Sequence, residues 1–298
     1  MAGVRFAAPP APTPSRGESR RATAALRRVA GAFHRHASHE TAGALVEVTL
    51  RHPNELVRVA AAASYFLVAT APSPAIAILA HGVRSRDSLT REVAATALAR
   101  VEPRHPVLAP LLEARPRRST RRPSRTSLLV HGTWARTAAW WQPPNGDFWQ
   151  YIQANVDPNL YGAQDRFDWS GGYSVAARAL GGTRLNTWVQ QHSLAGLDLF
   201  AHSHGGSVSM LASQAGTQVD RMILLSCPVH WPQYMPAFNR VNRIISIRVH
   251  LDLVILADGG GQRFYDSRIE EHVLPRWFEH SLARDPAVWQ QYNVQAWL

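Results

Sequence analysis

The stretch "DLFAHSHGGSVSM", residues 198–210, sets a serine between two histidines and follows it with two glycines. A serine hydroxyl is a weak nucleophile until a base takes its proton, so Ser203 does chemistry only where the fold presents it to such a base. The apolar run Leu197–Ala201 ends abruptly, and a segment with Val208, Leu211 and Ala212 at helical spacing starts at once. So tight a strand-to-helix turn needs small residues two before and two after the serine. Ala201 and Gly205 stand there, and Gly206 next allows close helix packing. The sequence "VHGTW", about 70 residues upstream, ends another apolar run in the same manner.

The elements that must position this serine follow from the alternation of short apolar runs and helical segments after Ser127, the pattern of an α/β fold with a mostly parallel sheet. Leu128–Val130 reads as a buried strand stopped by His131-Gly132. A short strand is expected near Arg166–Trp169. After it, a helix from about Ser174 to Gln191 should turn Val175, Ala179, Leu185 and Val189 inward. "LDLFA", "RMILLS", "RIISIRVHL" and "RIEEHVL" supply further strands. Asp285 suits a helix N-cap, with Pro286 in the first turn.

With these elements in place, the serine turn resembles the G-x-S-x-G elbow of α/β-hydrolase serine esterases and lipases, with Ala201 in place of the first glycine. The resemblance spans residues 126–298 and implies a compact α/β-hydrolase domain at 127–298. It implies an oxyanion hole from the backbone N–H of Thr133 (Trp134 being the alternative) and of His204. It also implies a Ser-acid-His order along the chain. Asp252, at the end of "RIISIRVHL", is the acid, with Asp258 competing if "LVILA" extends the strand. His280 is the base, past Pro275 in a loop, with His272 competing from within "IEEHVL". The implied activity is cleavage of a small-molecule or lipid carboxylic ester through an acyl-Ser203, with no metal and no cofactor. Acyl transfer shares every step but the last, and an inactive scaffold of the same fold is the alternative from another class. Trp134, Trp140 and Trp141, in the aromatic stretch after the oxyanion loop, either wall a substrate pocket or cover the sheet.

The other histidines attract less chemistry. His202 and His204 flank the serine but are not placed to be its base. His34, His36 and His39 mimic metal-ligand spacing but sit on a basic segment with no acidic partner. Cys227 reads as a small buried residue, and a lone cysteine excludes an internal disulfide.

The first part of the chain has a different texture. Residues 1–18 read as a disordered Pro- and Ala-rich tail, and residues 19–113 as a small all-α module. It opens on a basic amphipathic helix whose Leu26, Val29, Ala30 and Phe33 share one face. "LVRVAAA" at 56–62 and "LTREVAA" at 89–95 share L-x-R-x-x-A-A and resemble HEAT repeats, which offer a surface for a protein partner. Every residue assigned to catalysis lies after Ser127, so residues 1–114 are expected to serve docking or stability. "ARPRRSTRRPSRT" at 114–126 reads as a linker. The chain carries a formal charge of +11, but residues 1–126 hold 20 arginines against 8 acids and the remainder 12 against 13. The charge thus belongs to the arm and linker, and the linker has no interleaved aromatics, which argues against nucleic acid. Without a secretory h-region or a membrane-length apolar run, a cytoplasmic protein is expected.

Overall fold

The computed structural model describes residues 16–68, 74–112, 125–194 and 196–298. Most of the tail and nearly all of the linker read from the sequence lie outside these. The chain divides into two compact units, Met1–Gly82 and Val83–Leu298.

The first unit holds α1 (Arg16–Arg35), α2 (His39–Leu50), α3 (Glu55–Val68) and α4 (Pro74–Gly82), with consecutive helices packed on one another. The α1 helix begins three residues inside the segment read as tail. Its Leu26, Val29, Ala30 and Phe33 are partly buried while Arg20, Arg27, Arg28 and Arg35 are exposed, as the amphipathic pattern requires. Ser38 starts α2 with a capping box, its hydroxyl accepting from the Thr41 N–H at 3.2 Å. His34, His36 and His39 are all exposed.

The second unit is α/β. Strands β1 (Arg125–Val130), β2 (Gly196–His202), β3 (Val219–Leu225), β4 (Val241–Arg248) and β5 (Ile269–Val273) form one parallel sheet in chain order. Side chains alternate between its faces. Leu128, Val130, Leu199, Ala201, Met222 and Leu224 enter one core, and Leu129, Phe200, Ile223, Leu225, Ile245 and Ile247 enter the other. The helices α7 (Val175–Gln191) and α8 (His204–Gln214) cover the first face. The second is covered by α6 (Asp147–Asn155) and α10 (Pro286–Tyr292). Asp285 caps α10 by accepting from the Ala287 N–H at 2.8 Å, with Pro286 following, as its sequence required.

Three expectations are corrected. Arg166–Trp169 forms no strand; Phe167 and Trp169 are buried, and the Trp169 indole donates to the His131 carbonyl at 2.8 Å instead of joining a ladder. In α7, Leu185 and Val189 face inward but Val175 and Ala179 are exposed. The inward face instead carries Gly181 and Gly182, because α8 passes so close that a Cβ on Gly182 would stand 2.6 Å from that of Leu211. Finally, α5 (Ser88–Val101), read as part of the N-terminal module, falls within the second unit, where it packs on α9 (Leu253–Asp258). No helix among the described residues is long and apolar enough to cross a membrane.

Candidate active site

The end of β2 delivers Ser203 on a backbone that few residues adopt, with φ 56° and ψ −132°. Its N–H donates to the Leu225 carbonyl at 2.8 Å, tying the turn to β3. The glycines around it are required by space. A Cβ on Gly205 would collide with the Val130 carbonyl oxygen, and one on Gly206 with the Cys227 sulfur. A Cβ on Gly132 would come within 2.7 Å of the Ser203 Cβ. The small-residue pattern thus records how closely α8 and the loop after β1 approach each other. Cys227 is buried against this packing, and burial pushes its thiol up, away from thiolate chemistry.

The two remaining triad candidates meet. Asp252, fully buried before α9, spends one carboxylate oxygen on capping that helix, accepting from the Val254 and Ile255 N–H at 2.9 and 3.2 Å. Its other oxygen lies 2.7 Å from His280 Nδ1. Burial disfavours the His280 imidazolium, but the Asp252 carboxylate and this hydrogen bond outweigh it and hold His280 above the ordinary histidine value. His280 follows β5 and opens a short 3-10 helix, where a loop was expected after Pro275. His272, in contrast, sits within β5 with its ring stacked on Trp297. Nor does "LVILA" extend a strand: it forms α9, and Asp258 ends that helix facing other partners.

His202, on β2, contacts the His280 carbonyl through Nε2 at 3.3 Å, and the two rings lie 4.7 Å apart. Burial, followed by the nearby charges of His280 and Arg284, holds His202 far below the usual histidine range. It therefore stays neutral, and its Nε2–H can donate to the His280 carbonyl.

Ser203 and His280 open on one cavity. The Thr133 and His204 residues, whose amides were assigned to the oxyanion hole, line it beside them. The Trp134 N–H is engaged by the Gly171 carbonyl at 3.1 Å, which favours Thr133 over Trp134 as the candidate donor of its loop. That loop is braced by His131, which contacts Asp168 at 3.0 Å while Arg136 holds the second Asp168 oxygen at 2.8 Å. The three tryptophans divide. Trp134 and Trp140 line the cavity, whereas Trp141 is buried beneath, its ring 4.6 Å from that of His131 and its indole donating to the Ala135 carbonyl.

Part of the lining was not legible in the sequence. Arg91, Glu92, Ala95 and Thr96 from α5 line the cavity together with Leu111 and Arg284. Within residues 1–114, expected to serve docking or stability, α5 lines this cavity. Arg284 sits 4.5 Å over the Trp140 ring, and burial lowers its pKa from the usual arginine value.

A second cluster lies beside the serine turn. Asp258 Oδ2 contacts His204 Nε2 at 3.3 Å and His230 Nε2 more closely, while its Oδ1 accepts from the Tyr173 hydroxyl at 2.6 Å. Burial alone would raise the Asp258 carboxyl, but His204 and His230 hold it well below the carboxylate range. Burial lowers His204. His230 went unnoticed in the sequence because nothing near it resembles a motif.

Comparisons place little beside this geometry. No family model and no curated protein matches the chain. A 2.75 Å crystal structure of an uncharacterized protein from Bacillus cereus ATCC 10987 is similar at 13% identity and a TM-score of 0.37, covering 92% of this chain and 97% of that one.

Proposed function

We propose that the protein is a serine hydrolase of α/β-hydrolase type that cleaves carboxylic esters. The observation that carries this reading is the buried Asp252–His280 pair, 2.7 Å apart, opening on the cavity that also holds the strained Ser203 turn. The five parallel strands in chain order support it as well, with serine, acid and histidine following β2, β4 and β5 in turn.

In this reading Ser203 Oγ attacks the ester carbonyl carbon as His280 Nε2 takes its proton. Asp252 fixes the tautomer by accepting from Nδ1–H and offsets the imidazolium that forms. The carbonyl oxygen gains negative charge between the Thr133 and His204 amides. One such donor contributes about 3–4 kcal/mol to the transition state. His280 then protonates the leaving alkoxide, and water repeats the sequence on the acyl-enzyme. The apolar lining residues Ala95, Leu111, Ala138, Trp140 and Ile255 receive an apolar acyl group.

A panel of soluble esters of graded acyl length tests the proposal. Turnover by the wild type that Ser203→Ala abolishes is expected, with both proteins folded. Turnover retained in Ser203→Ala would move the chemistry elsewhere.

A further inference from the structure

The ester reading assigns a role to Asp252 and leaves Asp258 without one. Yet Asp258 is 5% exposed and ends α9 with both oxygens engaged. His204 Nε2, His230 Nε2 and an Asp258 carboxylate oxygen all lie within 4.8 Å of one another. We propose that His204, His230 and Asp258 form a binding site for a divalent transition ion of the Zn2+ class.

Three observations support it. Two imidazoles and one carboxylate are the donor set that zinc and its neighbours take, and three protein ligands leave a fourth position open. That position is reachable, because His204 and Asp258 line the cavity that holds Ser203. The outer atoms of two ligands are already oriented: His204 Nδ1 meets the Thr133 hydroxyl at 2.8 Å, and Asp258 Oδ1 accepts from Tyr173 at 2.6 Å. Partners of this kind fix the tautomer and the angle of metal-binding groups.

The competing account is a network of hydrogen bonds alone, in which both imidazoles carry their proton on Nε2 and direct it at one oxygen. In the metal-bound form the same two Nε2 atoms present lone pairs to the ion, and His204 Nδ1–H donates to Thr133. Charge also shapes the site. Arg178, 5.4 Å from the Tyr173 ring, adds a positive charge nearby that opposes a cation, and the Asp258 carboxylate offsets it. This departs from the expectation of a metal-free protein, and it places the ion at a cluster other than His34, His36 and His39.

The test is metal uptake by the full chain, stripped with a chelator and then titrated with Zn2+ under equilibrium dialysis. One equivalent per chain is expected, and the Co2+-loaded protein should show the visible bands of a low-coordinate nitrogen and oxygen site. His230→Ala should lose both, weakening binding by more than about 100-fold. Tyr173→Phe keeps the ring, removes only the hydroxyl on Asp258, and should weaken binding by about 10- to 100-fold; it decides the matter if His230→Ala does not fold. Absence of stoichiometric uptake, or unchanged uptake in folded variants, overturns the site and leaves the hydrogen-bonded network. Uptake is read without turnover, so failure of the ester reading would not alter this result.

Discussion

Replacing Asp252 with asparagine separates its two tasks. The Asn side chain keeps an oxygen where Oδ1 now caps α9, and Asn caps helices about as well as Asp. What changes is the contact at 2.7 Å with His280 Nδ1, where an NH2 replaces an acceptor. To meet it, His280 must move its proton to Nε2, the atom that should accept from Ser203. A wrong tautomer of this kind costs roughly 10,000-fold in kcat. At about 1.36 kcal/mol per decade, that is ~5 kcal/mol of transition-state stabilisation. The stability lost with one charge-assisted hydrogen bond is smaller, about 1.5–3 kcal/mol. Turnover of a soluble ester, measured beside urea unfolding, should therefore show a near-dead enzyme that is still folded. A folded variant within about tenfold of wild-type kcat would refute the role of Asp252.

Other outcomes follow from the same geometry. The proposed reaction needs neutral His280, and Asp252 holds that group above the ordinary value of 6.5, so kcat/KM should fall on acidification with a midpoint above 6.5; a midpoint below it would contradict the pairing. The pair's stabilising effect has the opposite sense, being present in full below about pH 6.5 and lost as pH rises through the folded value, which urea unfolding across pH reads directly. Gly205→Ala forces a Cβ against the Val130 and His131 carbonyls and should destabilise by at least 1–3 kcal/mol, roughly the cost of overpacking, in the same assay. Ala95→Leu narrows the cavity from α5 and should lower kcat/KM for long acyl esters by about tenfold or more while acetyl esters change little; equal loss on both would remove α5 from the pocket.

Much of this arrangement was legible because its signals are local. The Ser203 turn is written in small residues at fixed offsets, and the five strands in apolar runs. The α10 start shows in Asp285 and Pro286, and the candidate base in a histidine beyond a strand. What escaped reading depends on groups distant in sequence. The inward face of α7 is set by the approach of α8 to Gly182, which no apolar periodicity records. Arg166–Trp169 reads as a strand, but its aromatics are buried beside the loop after β1 and not in the sheet. The α5 repeat pattern describes a helix and not what it covers, so its place in the cavity wall was missed. His230 joins His204 and Asp258 only once β3 and α9 are assembled.

The central claim is that Ser203 is an activated nucleophile, and covalent capture tests it most directly. A fluorophosphonate should modify the full chain once, and mass spectrometry of the digest should place the adduct on the peptide containing Ser203, with Ser203→Ala unlabelled and His280→Ala labelled far more slowly. Equal labelling of wild type and Ser203→Ala, or an adduct on another residue, would contradict the account.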